Sequence, residues 1–323
     1  MVKGQTSRTM SAVAIALAAM MGGALGLTGS ASASPIAYDG FETVAASPTD
    51  SQYAAGRLID QSPGLTGFST DVAWTGADNV VRPINADMTD LTYTGLSRLP
   101  GSVMATRTGG DSTGSGSNAT RLSNTGDALP ADTPVTRWVS FLLQPDLAQV
   151  TPGKTNDPFK LSLTFAGTGG FLAFTLQDDG DLVISAWRSS GAATIAALAD
   201  DTTHMILTRI VHGDTHRGTD QETISVWLDP VLADGDSGLG DAAATLTGNV
   251  LNANTGSWNG RDFYSATLAA ELEKHTDAQT VWFDELRVGE TSVDVGLVPE
   301  PASVALVLVG LSGLAACRRR RAA

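Results

Sequence analysis

The sequence contains one cysteine, Cys317, which lies in an apolar segment near the C-terminus. A chain with one cysteine forms no internal disulfide bond and offers no pair of thiolates to a zinc ion. Thioredoxin-like folds, disulfide scaffolds and thiolate zinc sites are therefore excluded, and core packing must hold the fold. Cys317 itself is either a lipid attachment point at a membrane edge or a small hydrophobic residue.

Basic residues are scarce relative to acidic ones. The 323 residues include 20 Lys and Arg against 34 Asp and Glu. Near the two ends lie six basic residues, which are Lys3, Arg8 and four C-terminal arginines, and one acidic residue, Glu300. The body between the two ends therefore has 14 basic and 33 acidic side chains. Such a body repels phosphate backbones, which excludes nucleic acid as a partner. The charge favours solubility outside the cell and loose cation binding.

The N-terminal residues have the composition of an export signal. A positively charged start is followed by an apolar run and then by small residues, namely Lys3 and Arg8, Ser11 to Leu27, and Ala31 and Ala33 before Ser34. This order is typical of a secretory signal peptide. We therefore expect residues 1–33 to be a signal helix that engages the export machinery, with cleavage by signal peptidase before Ser34.

The C-terminal residues combine an extended element, an apolar run and a cationic cluster. Pro299, Glu300 and Pro301 keep the backbone out of the helix that follows. The uncharged run Ala302 to Cys317 spans about 24 Å as a helix, which is marginal for a bilayer core of about 30 Å. Positive charge beside an apolar segment stays on the cytoplasmic side, and here that charge is carried by Arg318, Arg319, Arg320 and Arg321.

This arrangement resembles the PEP-CTERM sorting tail of exported bacterial proteins. The resemblance covers residues 298–323 and implies an exosortase-like membrane enzyme as a partner, with cleavage near Pro299 to Pro301. It implies delivery to the cell envelope, the cell surface or the extracellular space, with a transient or permanent membrane anchor. A simple tail anchor, whose prolines only break the helix, is the alternative.

Residues 34–297 have the pattern of short β-strands separated by turn residues. Segments rich in β-branched and aromatic residues recur at Arg137 to Pro145, Phe159 to Gly167, Phe171 to Gln177, Asp181 to Trp187, His204 to Val211, Thr223 to Pro230 and Thr280 to Val288. Alternation of apolar and polar residues, which places Ile224 and Val226 on one face, predicts one all-β domain, an antiparallel β-sandwich. Gln177 to Asp181 predicts a tight hairpin turn. Short helices are expected at Ser265 to His275 and within Ala193 to Asp201.

The same strands resemble laminin-G and concanavalin A-like jelly rolls. Tyr38 to Glu42 at the start and Phe283 to Gly289 at the end carry much of this resemblance. It implies that the first and last strands lie side by side, with Phe41 near Phe283. Known jelly-roll glycosidases use a Glu-x-Asp-x-x-Glu strand, and this sequence lacks that spacing.

Few residues remain as candidates for chemistry. Asp284 and Glu285 are neighbours, so regular strand alternation would place them on opposite faces, and we expect an edge carboxylate beside Arg287 rather than a catalytic pair. His212 and His216 flank turn residues, which disfavours a zinc site. An acidic loop is a candidate calcium site through Asp234, Asp236 and Asp241.

Tryptophans allow a further role. Trp187, Trp227, Trp258 and Trp282 are candidates for stacking on sugars if they are exposed on a sheet, although tryptophan in a sandwich is commonly part of the core. Together these features predict an exported, non-enzymatic surface or matrix protein that binds carbohydrate or mediates adhesion, for example to an extracellular polysaccharide. Two alternatives remain: an extracellular carbohydrate-active enzyme with an unrecognised site, and a spacer in an envelope assembly.

Overall fold

The protein is described from a computed structural model of the chain. The description covers residues 35–40, 43–44, 53–54, 66–68, 73–76, 81–83, 91–96, 106–108, 117–122, 134–146, 157–166, 170–177, 179–187, 189, 191–212, 222–232, 235–248, 250, 260–271 and 280–297. All of them belong to the compact unit Ser34–Pro299. The predicted signal peptide, the Pro-Glu-Pro element, the apolar run, Cys317 and the arginine cluster lie outside the described residues.

The described part of the chain is built from β-strands. In chain order they are β1 Ala37–Asp39, β2 Thr43–Val44, β3 Tyr53–Ala54, β4 Thr75–Gly76, β5 Val81–Pro83, β6 Thr106–Thr108, β7 Ser117–Leu122, β8 Val135–Asp146, β9 Asp157–Ala166, β10 Phe171–Leu176, β11 Asp181–Ala186, β12 Ala193–Ala197, β13 His204–His212, β14 Glu222–Leu228, β15 Ala244–Gly248, β16 Gly260–Glu271 and β17 Thr280–Gly289. Two 3-10 turns follow β14 and β17, at Asp236–Gly238 and Val293–Val295.

Two large antiparallel sheets contain most of these strands. The six-stranded sheet has the order β1-β17-β8-β13-β14-β15, and the seven-stranded sheet has the order β12-β11-β10-β9-β16-β7-β4. The small pairs β2–β3 and β5–β6 lie outside them. The prediction of an all-β protein with antiparallel sheets is confirmed.

The main core lies between the two sheets. Alternation in β14 turns Ile224 and Val226 into this core and Trp227 to the other face, as the sequence predicted. Aromatic rings from the two sheets meet across the core, with 5.0 Å between the centroids of Phe141 and Phe174. Such offset and edge contacts add to the burial of large apolar side chains.

The hairpin between β10 and β11 forms where the sequence places a tight turn. Gly180 has a φ of 87°, a left-handed conformation that glycine adopts without a Cβ clash. The Asp179 Oδ1 atom accepts a hydrogen bond from the Asp181 N–H at 3.0 Å. The conformation of Gly180 and the hydrogen bond to Asp179 close the turn and set the register of the hairpin.

Both helices expected from the sequence are strands where they are described. Residues 265–271 belong to β16, which lies between β9 and β7, and Ala193–Ala197 form β12 at an edge of the same sheet. Alanine favours helices in isolation, but tertiary packing outweighs this preference here. In β16, Ala266 and Leu268 alternate into the main core.

The first and last strands of the body are neighbours. β1 pairs with β17 in antiparallel register, with Tyr38 opposite Arg287, so this implication of the jelly-roll resemblance is confirmed. Phe283 is fully buried in the main core, whereas Phe41 lies outside the described residues.

A second, smaller core covers part of the outer face of the six-stranded sheet, and the sequence did not predict it. Strand residues contribute Trp138, Leu142, Met205, Leu207 and Trp227, and the loops contribute Leu91, Leu232, Val295 and Leu297. Leu91 comes from a part of the chain for which the sequence predicted no strand or helix. The second core does not cover the whole outer face. Near the end of β13 and the start of β14, this face carries mostly polar residues.

Within the described ranges, we find no helix with the length and apolar character needed to cross a bilayer. The predicted signal helix and the predicted membrane helix both fall outside those ranges.

Candidate functional site

The candidate site is the part of the outer face of the six-stranded sheet that lies beside the second core. Two cross-strand rows define it, and we call it the Arg209 face. The first row is Trp138, Arg209, Ser225 and Thr245, and the second row is Thr136, Val211, Thr223 and Thr247. Residues directly opposite each other on neighbouring strands point to the same face of a sheet. The register therefore brings four strands into one surface.

Two tryptophans support the centre of this face. The rings of Trp138 and Trp227 stack with their centroids 6.2 Å apart at an interplanar angle of 22°. The Trp227 Nε1 atom donates a hydrogen bond to the Gly240 carbonyl oxygen at 3.2 Å, which fixes the indole. Only 3% of Trp138 and 6% of Trp227 is exposed. The pair is therefore core, and its rings are closed to a sugar.

The Arg209 guanidinium lies over both rings. Its Cζ atom is 5.7 Å from the ring centroid of Trp138 and 5.5 Å from that of Trp227. Both distances are in the range of cation–π interactions. Arg209 is partly exposed, so two tryptophans hold a partly exposed cationic side chain on this face.

Arg209 has no anionic partner among the described residues. Its Nε atom is buried and makes no hydrogen bond in that part of the chain. Arg287 and Arg137 differ, because each pairs with a glutamate. Arg209 is therefore a partly exposed cation that no described acidic side chain neutralises.

Residues with hydroxyl groups share this face with Arg209. Thr223, Thr245 and Thr247 are exposed, and Thr136 is partly exposed. Ser225, which stands directly opposite Arg209, is 8% exposed. Hydroxyls donate and accept hydrogen bonds, so this surface can bind a polar ligand with many hydroxyl groups.

Asp284 and Glu285 are not at an edge of the sheet, which corrects the expectation from the sequence. β17 lies between β1 and β8, and the two side chains are 0% and 1% exposed. The register shifts between Asp284 and Arg287, and Glu285 has a φ of 56°. This bulge breaks regular alternation, so that Phe283 and Leu286 both enter the main core.

A buried hydrogen-bond network holds Glu285. Its Oε1 atom accepts a hydrogen bond from the Tyr38 hydroxyl at 3.0 Å, and its Oε2 atom accepts one from Arg287 Nη2 at 2.5 Å. Burial, followed by the negative charge of Glu285, raises the pKa of Tyr38. A carboxylate enclosed in this way joins strands and has no access to a substrate.

His204 begins β13, at the start of the predicted strand segment His204 to Val211, and it is buried, with 7% of its surface accessible. Its Nδ1 atom is 2.7 Å from Asp229 Oδ2, and its Nε2 atom accepts the Ala199 N–H at 3.1 Å. The Nε2 bond places the ring proton on Nδ1, which donates it to Asp229. Both ring nitrogens are occupied, so this pair is structural.

The candidate calcium residues are incompletely described. Asp236 and Asp241 are exposed, and Asp234 lies outside the described residues, so this site remains a prediction. A different acidic group was missed by the sequence analysis, because Asp146, Asp200 and Asp201 meet only through the fold. Their carboxylates lie within 4.8 Å of one another on the surface.

The other candidates are separated from one another. The Nδ1 atom of His212 lies 3.3 Å from Glu222 Oε1 at the end of the β13–β14 pair, and His216 lies outside the described residues. Trp187 is partly buried against Phe171, with ring centroids 5.7 Å apart. Trp282 packs against the second core. Trp258 and His275 lie outside the described residues.

No curated protein matches the chain in sequence. Among solved structures, a sialidase matches with 13% identity over 61% of this chain and 16% of its own, with a TM-score of 0.34. An alginate lyase, Aly36B, in complex with alginate trisaccharide matches with 12% identity over 58% of this chain and 81% of its own, with a TM-score of 0.36. Lectin UEA-II complexed with galactose matches with 9% identity over 73% of this chain and 98% of its own, with a TM-score of 0.35.

The sequence of the tail gives a more specific match. It begins at Leu297, the last residue of the described body, and includes the Pro-Glu-Pro element and the arginine cluster. Residues 297–321 match the PEP-CTERM protein-sorting motif, which indicates sorting as an exported protein and processing by an exosortase, a membrane enzyme.

Proposed function

We propose that the protein is a non-enzymatic cell-surface or extracellular-matrix protein whose body binds an extracellular polysaccharide through the Arg209 face. The body is of the laminin-G or concanavalin A-like jelly-roll type, and residues 1–33 and 298–323 are its sorting signals. The observation that carries the proposal is a sheet face with exposed threonines and with Arg209, whose guanidinium has no acidic partner among the described residues. The sorting motif adds a route to the outside, where polysaccharides are found.

The environment of Glu285 and Asp229 also favours binding over catalysis. Glycoside hydrolysis needs two accessible carboxylates on either side of the scissile bond. Within the described residues, Glu285 is enclosed by Tyr38 and Arg287. Asp229 is hydrogen-bonded to His204 and to the Met205 N–H. Neither carboxylate is placed to act on a sugar.

The end of the folded body bears on where the tail is cut. Leu297 is 1% exposed in the second core, and its N–H donates a hydrogen bond to the Ser292 carbonyl oxygen at 3.0 Å. A protease needs an extended and accessible backbone. We therefore propose that exosortase cuts after Leu297, within or beyond Pro299 to Pro301, and leaves the second core intact.

Two measurements test the proposed function on protein isolated from its host. Mass spectrometry of the released and membrane fractions should find a body that starts near Ser34 and ends after Leu297. An intact C-terminus containing Arg321 in every fraction would contradict tail removal and favour a permanent anchor.

The second measurement is binding of the same released protein to immobilised neutral and acidic polysaccharides. We expect binding without release of reducing ends. Release of reducing ends from any polymer would favour the enzyme alternative. Absence of binding to all polymers would favour a spacer and contradict the proposal.

A further inference from the structure

We propose that the Arg209 face selects polysaccharides that carry carboxylates, with a uronate group of the polymer bound by the Arg209 guanidinium. This inference rests on the proposed function and specifies the ligand of the same face. Among the described residues, no anion neutralises the guanidinium of Arg209, which is a partly exposed residue in contact with two tryptophans. An anionic group of a ligand would neutralise this charge.

The missing partner of Arg209 is not explained by a shortage of carboxylates. The chain has 34 acidic residues against 20 basic ones, and Arg287 pairs with Glu285 at 2.5 Å. A partly desolvated charge without a partner lowers stability. The sequence nevertheless places Trp138 and Ser225 directly beside Arg209, where an acidic side chain would be in reach.

The tryptophan pair preorganises the Arg209 guanidinium for binding. Contact with two rings restricts the side chain, so less conformational entropy is lost when a ligand binds. The planar guanidinium matches a carboxylate with two parallel hydrogen bonds, whereas an ammonium acts as a point charge. This geometry favours a carboxylate over a neutral sugar at this position.

The threonine rows suit the rest of the sugar. Ser225 and Thr245 continue the row of Arg209 across two strands, and Thr223 and Thr247 lie one pleat away. Strands are about 4.8 Å apart, which is close to the width of a sugar ring. The acidic body repels a polyanion at long range, so the attraction must come from direct contact with Arg209.

Matched pairs of polymers test the inference on the full exported chain. Polygalacturonate, alginate and hyaluronate are each compared with their own carboxyl-reduced forms, which keep the backbone and lose the charge. We expect the native protein to prefer at least one uronate polymer over its reduced form by about tenfold. We expect R209Q to lose this preference and R209K to recover it only in part.

A second pair of variants keeps Arg209 intact and guards against loss of folding in R209Q. T245E places a negative charge on the exposed end of the Arg209 row, and T194E places the same charge on β12 of the other sheet. T245E should weaken uronate binding by about tenfold, and T194E should leave it nearly unchanged. Equal effects of the two variants would overturn the inference.

The remaining outcomes separate this inference from the proposed function. Equal binding of reduced and uronate polymers by native protein and R209Q would overturn the inference and leave polysaccharide binding in place. Binding of dextran sulfate together with failure to bind any uronate polymer would overturn the choice of a carboxylate. Failure to bind any polymer would overturn both.

Discussion

The Tyr38 hydroxyl donates a hydrogen bond to Glu285 Oε1 at 3.0 Å and thereby joins the first strand of the body to its last strand. The two residues are 247 positions apart in the sequence. Arg287 occupies the other carboxylate oxygen, and its guanidinium lies 5.4 Å from the Tyr38 ring centroid. In a chain without disulfides, this network binds the edge strand β1 to its neighbour β17.

Removal of the Tyr38 hydroxyl should therefore be costly. We expect Tyr38→Phe to lower the free energy of unfolding by about 1.5–3 kcal/mol, because the lost bond has a charged and buried acceptor. Urea denaturation measures this value. Tyr93→Phe is the control, since the Tyr93 hydroxyl donates to the neutral Pro230 carbonyl oxygen at 2.9 Å, and about 0.5–1.5 kcal/mol is expected there. A larger loss in the control would contradict this account.

Loss of the cation of the same network should have a larger effect. Arg287→Met leaves the carboxylate of Glu285 buried without a countercharge, and we expect a destabilisation of about 3–5 kcal/mol. The matched control is Glu290→Gln. Glu290 pairs with Arg137 at 3.6 Å, but its side chain is 65% exposed, so less than about 1 kcal/mol is expected. Similar melting temperatures for the two variants would show that the buried pair is not structural.

Gly67 marks a close approach of two backbone segments near β1. It has a φ of 73°, and a Cβ atom there would lie 1.8 Å from the Ile36 carbonyl oxygen. Gly240 also has a left-handed φ, of 65°, but a Cβ atom there would meet nothing within 4 Å. The two positions therefore separate backbone strain from steric overlap.

We expect Gly240→Ala to cost about 1–2 kcal/mol from the left-handed conformation alone. Gly67→Ala should cost clearly more, because the overlap is with backbone and cannot be relieved by a side-chain rotation. Thermal denaturation of both variants gives the comparison. Equal losses would mean that the chain near Ile36 moves freely to accommodate a methyl group.

The sheets could be predicted because their information is local. Period-2 alternation in β14 and the Asp-Gly turn before β11 are both readable from neighbouring residues, and both are confirmed. The end of β16 has the pattern of a helix because it is rich in alanine. Its burial between β9 and β7 depends on residues about 100 and about 150 positions away, which a local pattern does not contain.

The candidate site was harder to predict than the fold for the same reason. The sequence shows Arg209, Trp138 and Trp227 only as members of separate strands, and their contact depends on the register of β8, β13 and β14. The β-bulge at Asp284 and Glu285 was also invisible, since one extra residue changes which side chains face the core. The sorting tail is the opposite case, because its motif is contiguous and its match needs no fold.

Tyr93 should give the protein a recognisable loss of stability at alkaline pH. Burial, with a further contribution from the charge of Asp229, raises the pKa of Tyr93 to about 12, whereas tyrosine in an unfolded chain has a pKa of about 10. Below pH 10 the phenol is protonated in both states, and its contribution is complete. Between about pH 10 and 12 only the unfolded chain releases the proton, so stability falls as the pH rises.

The test compares the native protein and Tyr93→Phe by urea denaturation over this pH range, with phenolate absorbance as a second readout. Tyr38 contributes a decline of the same sign to both proteins, because its pKa is also raised, so the difference between the two curves isolates Tyr93. We expect a shallower decline in the variant and the loss of one late-titrating phenol. Parallel curves would mean that the Tyr93 hydroxyl is solvated in the folded protein and that its environment beside Asp229 and Pro230 is open.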